Sequence, residues 1–191
     1  MFERFTKDAR DVVRDAVEQC QDSGVRTVGA EHLLLALLDR TASRGSFALT
    51  ALGLTEERRR SVRLALEEAR RRAGLSRADA DALAGLGIDV AEIVSRVEET
   101  HGVGAMAGGG RRGGSGAGRS GRPRFGRDGK DVLEQSLRIA LAHRDRHIGD
   151  EHLLLALTAR PGPSAETLAD HGVTHAALTR VLYGENHAQA G

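Results

Sequence analysis

Residues 29–37 read GAEHLLLAL, and residues 149–157 read GDEHLLLAL. Only the second residue differs, and the two stretches stand 120 positions apart. Self-similarity at a fixed offset is the signature of a repeated structural unit, so the same offset was followed outward. Phe5 meets Phe125, Asp8 meets Asp128, Asp11 meets Asp131, Val12 meets Val132, Val17 meets Leu137 and Val28 meets Ile148. No gap is needed anywhere between positions 5 and 37. The chain is a tandem duplication.

The totals narrow what such a duplication can be. A chain of 191 residues holds one domain or two small ones. With 40% hydrophobic and 29% charged residues it reads as globular rather than disordered. Aromatics make up 3% and Trp is absent, so Leu, Ala and Val must build the core, which favours helices over sheets. A formal net charge of +1 argues against a globally basic nucleic-acid binder. One Cys excludes an internal disulfide and fits a reducing compartment. MFERFTKDAR at the amino terminus lacks the apolar segment of a signal peptide, and the longest apolar run, 33–38, is too short to span a bilayer. These features predict a cytoplasmic monomer with no membrane contact.

Apolar residues at 12, 13, 16, 17 and 20 form one helical stripe, and Val132, Leu133, Leu137, Ala140 and Leu141 repeat it in the copy. A short polar turn then leads into each EHLLLAL helix, which is apolar on nearly all sides and should be buried. Asp150 is the expected N-cap of the second such helix, whereas Ala30 is a poor one. Each copy should close with a short helix, a Gly and a last helix. In the second copy these are 164–171, Gly172 and 174–183. In the first, Gly53 and Gly87 compete, and Gly87 is followed by the better apolar pattern of Ile88, Val90, Ile93, Val94 and Val97. An Arg/Glu-rich helix at about 55–73 then reads as an insertion, solvated and laced with i,i+4 pairs. Residues 102–123 have almost nothing to bury and read as a flexible Gly/Arg linker. The expected layout is a first copy over 1–101, the linker, a second copy over 124–185 and a disordered tail over 186–191.

No catalytic constellation emerges. The only Gly-Lys, at 129–130, lacks the partner Gly five residues earlier and is followed by Asp131, so no phosphate loop is present. Glu31-His32 and Glu151-His152 lack the second His that a helical zinc site requires, because Ala36 and Ala156 stand four residues on. Each His should instead bond to its neighbouring turn. Cys20 aligns with Ala140 on the buried stripe and reads as a small core residue rather than a nucleophile. The Arg/Gly linker has no aromatics to stack on bases and reads as a spacer. No cofactor, metal or enzymatic activity is expected.

MFERFTKDAR, GAEHLLLALL, FGRDGKDVLEQSLRIAL and IGDEHLLLAL together resemble the amino-terminal domain of Clp-type AAA+ unfoldases, most closely the ClpC branch of Gram-positive bacteria. The resemblance covers 1–53, 82–101 and 123–183. It implies an all-α fold of two four-helix pseudo-repeats about an approximate two-fold axis. It also implies a non-catalytic domain that docks substrates and adaptors for ATPase rings feeding the ClpP peptidase. Those rings are not in these residues, so the expectation is a free-standing binding module that captures a peptide-like ligand, substrate or adaptor, with a decoy role open. A regulatory subunit that joins a Clp unfoldase ring and alters substrate choice is the rival.

Two sets of site residues follow from the resemblance. One is a phosphoarginine site at each helix start, carried by Glu31 and Glu151. Ala30 and Asp150 stand where Thr is usual, which removes a hydroxyl donor from the first and adds negative charge to the second. The other is a groove between the repeats for peptides and cyclic peptide antibiotics, with Phe2, Arg10, Phe125, Lys130 and Glu134 matching. Lys130 is one of only two Lys in an Arg-rich chain.

Overall fold

The computed structural model describes residues 2–72, 74–102, 106 and 122–184. The two copies begin alike, with amphipathic helices α1 (Lys7–Asp22) and α7 (Arg127–Ala142). Thr6 caps α1, its Oγ1 accepting from the Ala9 amide at 3.2 Å, which satisfies one of the helix's free donors. The EHLLLAL helices follow as α2 (Ala30–Leu38) and α8 (Asp150–Ala159). Leu33, Leu34, Leu37 and Leu38 of α2 and Leu153, Leu154, Leu155 and Leu157 of α8 are all buried. Each such side chain contributes about 1.5–3 kcal/mol, and together with Phe5, Val12, Val132 and Leu178 they form one core shared by both copies. Cys20 is fully buried within it. Asp150 is not the N-cap of α8: that place belongs to Gly149, and Asp150 is the first helical residue. Its carboxylate turns to the first copy and accepts from the Gly45 amide at 3.0 Å.

The copies are joined by an exchange. β1 (Thr27–Val28) pairs in parallel with β2 (Arg124–Phe125), placing Val28 opposite Phe125. Phe5 in turn bridges to Ile148. Phe125 and Ile148 are the counterparts of Phe5 and Val28 at the offset of 120, so these are one contact written twice about a pseudo-two-fold axis. The hydrogen bonds repeat too: Thr6 N–H donates to the Ile148 carbonyl at 2.9 Å, and Gly126 N–H to the Val28 carbonyl at 3.0 Å. A Cβ at Gly129 would stand 2.5 Å from the Val28 carbonyl oxygen, so only glycine lets α7 approach β1 this closely.

α3 (Arg44–Ala51) and α9 (Pro163–Asp170) are the third helices, followed by Gly53 and Gly172 at φ 79° and 80°. α4 (Glu56–Arg71) and α10 (His175–Tyr183) are the fourth. Contacts between the copies continue here: α3 lies on α8, α10 against α3 and α4 against α9, while α9 packs on both α8 and α2. This corrects the expectation that 55–73 is an inserted, solvated helix and that the first copy closes after Gly87. α4 buries Arg59, Val62, Leu66 and Ala69 along one stripe. Arg59 donates from Nη1 to the Leu38 carbonyl at 2.7 Å and the Arg40 carbonyl at 3.2 Å, satisfying acceptors at the end of α2. The additional pieces are α5 (Arg77–Gly85) and α6 (Val90–His101). α5 buries no residue, and Val90 and Val94 of α6 lie outside the shared core. Both candidate segments carry an apolar stripe, and only packing against α9 distinguishes them. The linker over 102–123 falls almost wholly outside the described residues, and the tail over 186–191 entirely so.

Candidate functional site

The starts of α2 and α8 share one local device. Gly29 N lies 3.1 Å from His32 Nδ1, and Gly149 N lies 2.9 Å from His152 Nδ1. Both rings are buried against their own turns, as the sequence predicted. Beyond that the two starts diverge. His152 Nε2 lies 2.9 Å from Asp145 Oδ2 and 3.0 Å from the Tyr183 hydroxyl, which itself donates to Asp145 Oδ2 at 3.0 Å. Tyr183 also stacks on His143, with centroids 3.7 Å apart. In the first copy Val25 stands at the position matching Asp145, and the buried His32 Nε2 meets no hydrogen-bond partner among the described residues.

The two glutamates differ correspondingly. The Glu151 side chain is 8% exposed and pairs with Arg44 Nη1 at 3.2 Å. Arg44 comes from the other copy, donates to the Leu182 carbonyl at 3.1 Å, and lies 5.2 Å from the Tyr183 ring centre. Burial, helped by the neighbouring Asp150, pushes the Glu151 carboxyl up to about 7, against the pull of its own backbone amide and Arg44. The Glu31 side chain is 36% exposed, with Oε1 at 3.0 Å from His32 Nδ1. Burial opposes its ionisation, but His32, its own amide and Arg70 more than offset this, and its pKa is lowered. Asp128, again from the opposite copy, accepts from the Ala30 amide at 3.0 Å, where the helix start favours an anion. The second start therefore already holds a guanidinium, and the first already holds a carboxylate.

The residues that the resemblance assigns to a groove stand apart from these two starts in the chain. Arg10 and Lys130 occupy equivalent positions at the offset of 120, each the fourth residue of its helix, and both are exposed. Phe125 is half-buried in β2 and packs on the core. Glu134 is exposed one turn beyond Lys130 and pairs with Arg138 at 2.5 Å. Phe2 opens a short 3-10 turn, Phe2–Arg4, and its side chain lies outside the described residues. The axial counterpart of Phe125 is Phe5, which is buried. Arg44, Asp128, Asp145 and Tyr183 were not foreseen as site residues. The pairing of Asp8 with Asp128 in the duplication was a visible signal, whereas Arg44 carried none.

Among the described residues no helix is long and apolar enough to cross a membrane. Residues 4–85 match the family model of the Clp repeat (R) N-terminal domain. Among solved structures, the N-terminal domain of the caseinolytic protease associated chaperone ClpD from Arabidopsis thaliana is similar. Identity to it is 18%, the match covers 95% of this chain and 94% of that one, and the TM-score is 0.51. That likeness is one of fold. Residues 4–85 thus match the Clp repeat N-terminal domain, and the chain as a whole shares the all-α fold of that Clp amino-terminal domain.

Proposed function

We propose that the chain is a non-catalytic binding module of Clp-dependent proteolysis, capturing a peptide-like ligand, substrate or adaptor in the groove between its copies. The observation that supports this is the exchanged pairing of Phe5 with Ile148 and Phe125 with Val28. It sets the segment before each first helix beside the start of the other copy's second helix, with two exposed cations, Arg10 and Lys130, at equivalent positions. Phe125, and Phe2 from the sequence, supply apolar anchorage of the kind that carries most of an interface's binding energy. Lys130 and Glu134, four apart on one helix face, offer opposite charges to a polar backbone. At the helix starts we place a guanidinium-bearing ligand at Glu31, because Arg44 holds Glu151.

The test measures binding of fluorescein-labelled, unfolded casein to the chain and to the double variant Arg10→Ala/Lys130→Ala by fluorescence anisotropy. Both side chains are exposed, so the melting temperature should hold. Affinity should fall about tenfold, equivalent to about 1.4 kcal/mol. Equal affinity of the variant and the parent would exclude the groove.

A further inference from the structure

α5 and α6 form a hairpin with no counterpart in the second copy among the described residues. Its root is fastened to both copies. Arg77 N–H donates to Glu166 Oε2 at 2.8 Å, and Arg77 Nη2 pairs with Asp170 at 2.9 Å, both acids belonging to α9. Arg71 of α4 meets Glu98 of α6 at 2.9 Å. Away from that root the hairpin is open. α5 buries nothing, and Leu86, Ile88 and Ile93 are 78%, 41% and 43% exposed. Among the described residues the other large exposed apolar side chains, Phe47, Leu64 and Leu141, sit on three separate helices. Single exposed apolar residues need no explanation, but a cluster within one turn and the next marks an interaction surface.

The charge around this cluster is one-sided. Residues 78–95 contain Asp79, Asp81, Asp89 and Glu92 and no Lys, Arg or His, in a chain with 28 Lys and Arg. All four acids are exposed. Asp79 bonds to Ser76, Asp89 caps the Ala91 and Glu92 amides, and Glu92 pairs with Arg96 at 2.6 Å. These contacts orient the carboxylates, and Arg96 pairs with one of them, so the hairpin keeps a negative excess from Asp79 near its root to Asp89 and Glu92 at its tip. Such a rim repels acidic partners and attracts cationic ones.

We infer that the tip of this hairpin is a docking surface for a cationic amphipathic segment of a partner protein, with apolar side chains seated on Leu86, Ile88 and Ile93 and Arg or Lys facing the acidic rim. It is separate from the groove and does not rest on it. A second copy is the competing occupant, because Leu64 on α4 is 61% exposed with Arg60 and Arg63 beside it in the chain.

The experiment uses the whole chain and two labelled synthetic helical peptides of about 14 residues. They share one Leu pattern, and the polar face of one is Lys and of the other Glu. The Lys peptide should bind about tenfold more tightly at low ionic strength, with the contrast shrinking near 0.5 M salt, roughly where the screening length falls below 5 Å. Leu86→Ser/Ile88→Ser/Ile93→Ser should weaken it about tenfold, and Asp81→Asn/Glu92→Gln about threefold. Leu86→Ser alone, at the most exposed position, carries the test if the triple variant fails to fold by circular dichroism. Leu141→Ser, at an exposed apolar position on α7 outside the hairpin, should leave this binding unchanged, which ties the loss to the hairpin. Equal binding of the two peptides, or binding untouched by the serine variants, overturns the inference. So does a concentration-dependent dimer in sedimentation velocity that the serine variants abolish, since the occupant is then a second copy.

Discussion

Glu151→Gln isolates the cost of one buried acid. Unfolded, this carboxyl titrates near 4.5; folded, burial and Asp150 push it to about 7. Between those values the folded chain holds a proton that the unfolded chain has lost. The group's contribution to stability is therefore fully present below pH 4.5, declines as pH rises, and is gone above about 7. At 1.36 kcal/mol per unit, a shift of that size corresponds to about 3 kcal/mol. Gln keeps the shape and cannot ionise, so the variant should gain on the parent by up to about 3 kcal/mol between pH 4.5 and 8. For a chain of this length that is about 6–12 °C in melting temperature. His152, its pKa lowered by burial, and Asp145, lowered against the opposing effect of burial by Tyr183 and His152, also make stability pH-dependent. Both remain in the variant, so they drop out of the difference. Thermal unfolding followed by circular dichroism at pH 5 and pH 8, parent against variant, measures it. A difference that is the same at both pH values would show that Glu151 titrates as an ordinary glutamate and that the Arg44 contact is not strained by burial.

Two further variants probe the contacts that join the copies and close the second one. Gly129→Ala should destabilise by about 1–3 kcal/mol although Ala is the better helix former, because its Cβ would stand 2.5 Å from the Val28 carbonyl and 3.3 Å from Phe125 Cδ1; urea unfolding that shows a gain in stability would refute the close approach of α7 and β1. Tyr183→Phe removes the hydroxyl that donates to Asp145 at 3.0 Å while keeping the ring on His143, and should cost about 1 kcal/mol; an unchanged urea midpoint would mean that the bond contributes nothing net.

Much of this protein is written locally. The offset of 120 declares two copies, and the 3.6-residue period of positions 12–20 and 132–141 declares their first helices. The run of leucines in EHLLLAL declares the buried helix of each, because a helix apolar on all sides has nowhere else to go. The likeness to the Clp amino-terminal domain was legible from the same stretches. What stayed hidden depends on residues distant in the chain. The stripe of Val62, Leu66 and Ala69 on α4 and that of Val90 and Val94 on α6 look alike from within, and packing of α4 on α9 chose between them. No local pattern pairs Arg44 with Glu151 or Asp128 with the Ala30 amide, which lie 107 and 98 positions apart. Sequence periodicity reports which face of a helix avoids water. Which copy covers that face, and which charge meets which helix start, is decided only when the two copies exchange their strands about the axis.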